Sequence, residues 1–317
     1  MFRRRLCLLA AAALIAAPGF ADSLDAYRDR LLPSASQAAT TTGLRVTYLG
    51  VTTLLFDDGE TAIMTDGFFS RPDLKATPRI APDEKRIRAG LQRANVKSLA
   101  AVIPLHSHLD HAMDAPAVAE MTGAVLAGSS STANIGLGYG MDASRLRIVP
   151  DGATLRFGRF KVTFIPTKHY PMDFALGDIT EPLRPPADPR AYKQGTCYTL
   201  LIEHDGRTIL VQASAGFVPG ALAGRKVDVA YLGIGGLGQK PRDYQDAYWH
   251  EMMQVTGARR AIGIHWDDFS AHAHDAGEPQ DGFEASMRSA LEHAARDGVD
   301  MRVPRAWVAA DPFEGLR

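Results

Sequence analysis

The chain is short of cysteine, of unbalanced charge and of long apolar runs, and each shortage removes a class of protein. Only Cys7 and Cys197 occur among 317 residues, so no framework of disulfides holds this fold. Cys197, in GTCYTLLIE, reads as an inert residue on a buried strand. Lys plus Arg total 35 and Asp plus Glu 36, with no basic cluster in the body of the chain, which argues against a nucleic-acid partner. No apolar run approaches the roughly 20 residues that span a bilayer. A hydrophobic share of 46% with 22% charged residues fits a globular chain with a sizeable core.

The first residues differ from the rest. MFRRR is basic, LCLLAAAALIAA is an apolar stretch of twelve, and PGFA ends in a small residue. That order is the layout of a secretory signal peptide over residues 1–21, with cleavage expected after Ala21 and export to the periplasm or beyond. No cysteine stands at the cleavage point, so a stable membrane anchor is not expected. Arg3, Arg4 and Arg5 leave both the general and the twin-arginine export routes open. Residues 22–317 are then expected to form a single domain.

Within that domain short strands and helices alternate. LRVTY (44–48), TLLF (53–56) and TAIMT (61–65) read as strands, the last two joined as a hairpin through Asp58-Gly59. DEKRIRAGLQRA (83–94) has helical spacing of Ile87, Leu91 and Ala94, and a second helix is expected from about Ala115. LAAVIPL (99–105) is a continuous apolar strand. RFKVTFIP (159–166), YTLLIEH (198–204), RTILVQ (207–212), VDVAYLGI (227–234) and RRAIGI (259–264) read as further strands. Helices are expected around 243–256 and 281–296. TLLFDDGETAIM and TLLIEHDGRTILV are nearly one hairpin written twice, which points to two similar halves. The proline-rich stretch 170–195 breaks this rhythm and reads as a lid or a wall of the substrate site.

The strand 99–105 runs straight into HSHLDH: His106, Ser107, His108, Leu109, Asp110 and His111. His106 and His108 cannot share a helix face, but from an extended end of chain they can converge on one ion. Asp110 and His111 then point elsewhere and can hold another. Imidazole and carboxylate suit zinc and related divalent metals, with manganese and iron open. By chance such a pattern arises on the order of once in a thousand chains of this composition.

HxHxDH after an apolar strand resembles the metallo-β-lactamase superfamily. VTYLGVTTLLF followed by MTDGFFS is similar to its branch of ascorbate-6-phosphate lactonase-like hydrolases. The resemblance runs from about residue 44 to about 270 and implies an α/β (α+β) fold, a four-layer αββα sandwich. It implies a first ion on His106, His108 and His169, and a second on Asp110, His111 and His265. Asp66 would orient a ligand histidine. It implies hydrolysis by a metal-bound hydroxide, with Asp110 as the catalytic carboxylate orienting it.

One departure stands out. Relatives carry a bridging Asp where ILVQASAGF (209–217) places Ser214. Three outcomes stay open: two ions with no bridging carboxylate, a single tightly held ion, or replacement of the carboxylate by Asp267 or Asp268 in HWDDF. With one carboxylate fewer the site is more positive, which favours an anionic group on a small-molecule substrate. Tyr170, Asp267 and Asp268 are candidate substrate contacts.

Other histidines carry less. His272 and His274 read as a solvated loop, His204 and His293 as surface residues, and His250 as a structural residue facing the core. Gly233, Gly235 and Gly236 read as close backbone approach beside the site. The expected function is an exported metal-dependent, zinc-type hydrolase of an ester, lactone or phosphoester. A β-lactamase and a non-catalytic metal binder are the alternatives. The oligomeric state is not legible in the sequence.

Overall fold

A computed structural model describes residues 24–35, 43–269 and 277–316. The expected signal peptide, and His272 and His274, lie outside the described residues.

Two seven-stranded sheets face each other. The first contains β1 (Arg45–Tyr48), β2 (Leu54–Asp57), β3 (Ala62–Thr65), β4 (Ala101–Ile103), β5 (Val125–Gly128) and β6 (Leu146–Ile148), in that order. The second contains β7 (Thr154–Phe157), β8 (Phe160–Thr167), β9 (Cys197–His204), β10 (Arg207–Gln212), β11 (Val229–Gly233), β12 (Arg260–Ile264) and β13 (Asp300–Arg302). A last short strand, β14 (Ala309–Ala310), returns to pair with β1.

Period-two alternation sorts the side chains. Leu55, Met64, Val102 and Leu126 lie in one cross-strand row and pack outward with Ile87, Leu91 and Val118 of the covering helices. Phe56, Ile63 and Ala101 form the neighbouring row and face inward, against residues of the second sheet such as Phe164, Leu200 and Leu210. The helices α1 (Glu84–Arg93), α3 (Ala115–Thr122) and α4 (Ser130–Tyr139) cover the first sheet, whereas α5 (Arg242–Trp249) and α6 (Phe283–Asp297) cover the second. The one-turn α2 (Leu109–Ala112) sits inside the metal motif. This is the expected four-layer sandwich.

The repeated hairpin marks equivalent places. β2–β3 pairs Leu55 with Met64, and β9–β10 pairs Leu201 with Leu210. In each half the second hairpin strand then has a parallel neighbour, β4 beside β3 and β11 beside β10. The two triads described below lie past the ends of β4, β8 and β12, with Asp66 and Ser214 just past β3 and β10.

Helix α1 starts where expected because the Asp83 side chain accepts the Lys85 and Arg86 backbone N–H groups as an N-cap. The expected strand 99–105 is shorter than its apolar run, since only Ala101–Ile103 pair in the sheet. The helix expected over 243–256 is interrupted: α5 gives way to a π-type turn over His250–Gln254.

Candidate metal centre

HSHLDH changes conformation halfway. His108 is extended (φ −61°, ψ 159°) and caps α2, which carries Asp110 and His111. The extended half brings His106 Nε2 to 3.1 Å from His108 Nδ1. The helical half turns Asp110 and His111 to a different point. One motif therefore serves two groups, as the residue order required.

His169 stands two residues beyond β8, and its ring lies 4.7 Å from those of both His106 and His108. Its Nδ1–H donates to the Tyr170 carbonyl at 2.8 Å, which leaves Nε2 as the free lone pair. The chain can lie here because Gly216 passes beneath it: a Cβ at that position would sit 2.1 Å from the Lys168 carbonyl oxygen. His265 follows β12 directly, in a left-handed conformation (φ 56°), with its N–H donating to the Val51 carbonyl at 2.7 Å. Its Nε2 lies 3.4 Å from Asp110 Oδ2, and His111 Nε2 lies 3.3 Å from the same oxygen.

Two triads result, His106–His108–His169 and Asp110–His111–His265, with ligand atoms in each within 4.8 Å of one another. Each draws two ligands from HSHLDH after the first sheet and one from a strand end of the second. The donor set fits divalent ions. His108 Nε2 and His265 Nδ1 are buried nitrogens with no hydrogen-bond partner, and two imidazole nitrogens facing each other at 3.1 Å need a shared proton or a cation between them.

The electrostatics of the triads differ. Burial, together with the neighbouring imidazoles, holds His106 well below the usual imidazole range and takes His169 down to about 3. Burial lowers His108 too, against the pull of Asp110. In the second triad burial opposes the charge on His111, but Asp110 and Asp66 outweigh it and lift the imidazole to about 10. Asp110 is itself held well below the carboxylate range, because His111 and His265 overcome its burial.

Asp66 stands where the family resemblance implies an orienting carboxylate. Its Oδ2 accepts His111 Nδ1–H at 2.7 Å, and its Oδ1 accepts the Leu105 N–H at 2.9 Å. Thr52 Oγ1, which also approaches His111 Nδ1 at 3.0 Å, donates to the same carboxylate. Nothing in the sequence singled out Thr52, a loop residue in GVTT. Ser214 is buried beside the first triad, and its Oγ accepts the Tyr170 N–H at 2.9 Å. It thus ties down the backbone of Tyr170, whose carbonyl, in the following peptide, orients His169.

A cavity of about 420 Å³ opens onto both triads, touching His108, Asp110, His169 and His265, with Tyr170 and Ser214 on its wall. Met172 and Phe174 also line it, so the 170–195 stretch supplies a wall. That stretch is tied down: Ala187 and Ile80 exchange backbone hydrogen bonds, and the Leu183 N–H donates to the Asn134 carbonyl. Tyr170 lies across Gly236, its hydroxyl donating to the Gly236 carbonyl at 3.3 Å. A Cβ on Gly233 would fall 2.1 Å from the Ala213 carbonyl, so close backbone approach does account for that glycine.

Several expectations need correction. Asp267 neither replaces the bridging carboxylate nor reaches substrate. It is fully buried, accepting from Tyr48 Oη at 2.5 Å, from the Val51 N–H at 2.7 Å and from Arg71, whose charge holds it ionised despite burial. Asp268 is absent from the cavity wall, and its backbone carbonyl accepts from Arg71. His204 is buried, 3.0 Å from Asp58 of the opposite sheet's hairpin. His293 is buried against Asp246 of α5 and the Ser289 carbonyl. His250 is exposed and pairs with Gln254 instead of facing the core. Cys197 is buried as expected, which pushes its thiol up to about 12.

Solved structures share this fold. A metallo hydrolase from the archaeon Ignicoccus hospitalis superposes with a TM-score of 0.51 at 14% identity, covering 84% of this chain and 97% of its own. CmlA, a diiron β-hydroxylase from Streptomyces venezuelae, gives 0.51 at 16% identity over 85% of this chain and 54% of its own. An isothiocyanate hydrolase from Delia radicum gut bacteria gives 0.50 at 14% identity, covering 84% and 98%. No curated protein matches the chain. At these identities the neighbours speak for the fold alone. The sequence profile of the β-lactamase superfamily domain matches residues 61–266, a span that begins at the β2–β3 hairpin and ends just past His265, and the chain belongs to that family, in the metallo-β-lactamase superfamily.

Proposed function

We propose that this protein is an exported hydrolase of a small-molecule ester, lactone or phosphoester, working with two zinc ions. The observation that carries this reading is a pair of three-ligand triads at the end of one cavity. Three protein ligands per ion leave coordination positions open, the usual condition of a catalytic rather than a structural site. His106, His108 and His169 would hold one ion, and Asp110, His111 and His265 the other. Bound there, the ions would supply Lewis acidity and lower the pKa of water.

The chain's own residues do the rest. Asp110, ionised and on the cavity wall, can accept a proton from the attacking water. The Asp66 carboxylate and the Tyr170 carbonyl take the Nδ1 protons of His111 and His169, keeping each Nε2 turned toward the ions. Nothing in this arrangement requires the carboxylate that Ser214 replaces, since both triads are complete without it. Export is supported by the basic, apolar and small-residue order of residues 1–21.

Metal analysis of the purified protein, beside a panel of ester, lactone, phosphodiester and β-lactam substrates, tests the reading. Two ions per chain with turnover of an ester or a lactone is the expected result. Turnover of the β-lactam alone would make it a β-lactamase, and two ions with no turnover would make it a metal binder. Cell fractionation tests export: recovery of the intact precursor in the cytoplasm would refute it.

A further inference from the structure

The cavity has a one-sided chemistry. At one end stand the two triads. Beyond them the wall is largely hydrocarbon, from Leu74, Leu109, Met172, Phe174 and Phe269, with the neutral amides of Gln239 and Gln280 among them. Its charged residues apart from histidine are two carboxylates, Asp110 and Asp281, and among the described residues no Arg or Lys lines it. Two cations are held against aromatic residues of the wall. Lys240 Nζ sits 4.0 Å from the Tyr170 ring centre and donates to the Pro171 carbonyl, and the Arg190 guanidinium sits 5.4 Å from the Phe174 ring centre.

We propose that this cavity takes an uncharged, hydrocarbon-rich substrate: an ester or lactone whose carbonyl meets the ion end and whose chain lies along the Leu74–Met172–Phe174 wall. This rests on the hydrolase reading and names its substrate class. A remote anion would lose its hydration with no cation on the described wall to pair with, which is costly, and would also meet Asp281, whereas a remote cation would have Asp281 as its single opposite charge. A hydrocarbon chain gains about fourfold in binding for each methylene buried. The anionic group expected from the sequence therefore has the ions as its only partners and no second anchor. In the reaction, the oxygen of water joins the acyl carbon, the C–O bond to the alcohol breaks, and a proton from water passes to the departing alkoxide.

A matched pair of ligands tests this. N-phenyl-1-naphthylamine, a neutral fluorophore, reports occupancy of the cavity in the metal-loaded protein. Hexanamide and the monoamide of adipic acid, which differ by a terminal carboxylate, compete for it. Hexanamide is expected to displace the probe at a concentration at least tenfold lower, and Phe174→Ser to weaken probe binding several-fold. In parallel, p-nitrophenyl hexanoate is expected to exceed both p-nitrophenyl acetate and the mono-p-nitrophenyl ester of adipic acid by roughly tenfold or more in kcat/KM. Equal or better displacement by the charged amide, or no saturable probe binding, overturns the proposal. Preferential displacement by hexanamide with no ester turned over supports the uncharged ligand and overturns the hydrolase reading instead.

Discussion

His169 and His111 are buried imidazoles of one cluster, yet one is driven down to about 3 and the other up to about 10. The difference lies in their company. The first triad contains three imidazoles and no carboxylate. The second contains Asp110, and Asp66 stands behind His111 at 2.7 Å. Neutral imidazoles held in place offer lone pairs without first giving up a proton, whereas carboxylates offer charge. On the proposed reading, two neighbouring ions would be held by different means, the first by geometry and the second by electrostatics. This places the effect of the missing bridging carboxylate on the first triad, where Ser214 contributes a hydrogen-bond acceptor to the backbone rather than a ligand.

The largest effect should come from removing both ions at once. Chelation is expected to abolish hydrolysis. At saturation about a hundred times above Kd each ion stabilises by about 2.7 kcal/mol, so the melting temperature should fall by roughly 10 °C. An unchanged melting temperature would mean that the triads do not hold ions in the folded state. Next, Asp110→Ala should cut the rate by about 10²–10⁴ and leave one ion per chain, and His169→Ala, its mirror image, should leave the other. Metal analysis showing two ions in either variant would break the division into triads.

A subtler contrast separates the two supports. Asp66→Asn should weaken the second ion by about 10–100-fold while leaving the first unchanged, as read by competition with a chromophoric chelator. Equal weakening of both ions would count against carboxylate support as the difference between them. The smallest effect is expected from Ser214→Ala. Loss of one hydrogen bond to the Tyr170 N–H costs about 1 kcal/mol, or about fivefold in affinity for the first ion alone. Should the second ion respond instead, Ser214 acts at the centre between the triads and not through His169.

HSHLDH, His169 and His265 were legible because metal ligands gather at strand ends, and strand ends are marked by where an apolar run stops. Asp66 was legible only through the family resemblance. The errors arose where a distant element decides the outcome. A hairpin turn suggests exposure for His204, but Asp58 of the other sheet lies 3.0 Å away and encloses it. His250 follows the buried Trp249, which suggests a core-facing place, but the π-type turn begins at His250 and leaves it exposed. Adjacency to His265 made Asp267 a ligand candidate. The left-handed backbone at His265 (φ 56°) separates the two, so that Asp267 faces Arg71 and Tyr48. The cavity wall was legible only as an unassigned loop, since nothing local in YPMDF distinguishes a lining side chain from a solvated one.

Each triad spans the two sheets, two ligands from one and one from the other. An unfolded chain therefore holds no such centre, and neither does either sheet alone, so ion uptake must follow the docking of the halves. If the protein is exported as proposed, that ties the metal to the route of export. A chain threaded across a membrane unfolded would collect its ions at the destination and hold what that compartment supplies. A chain carried across folded would arrive already loaded with ions chosen in the cytoplasm. The metal recovered from the mature protein is in this sense a record of where it folded.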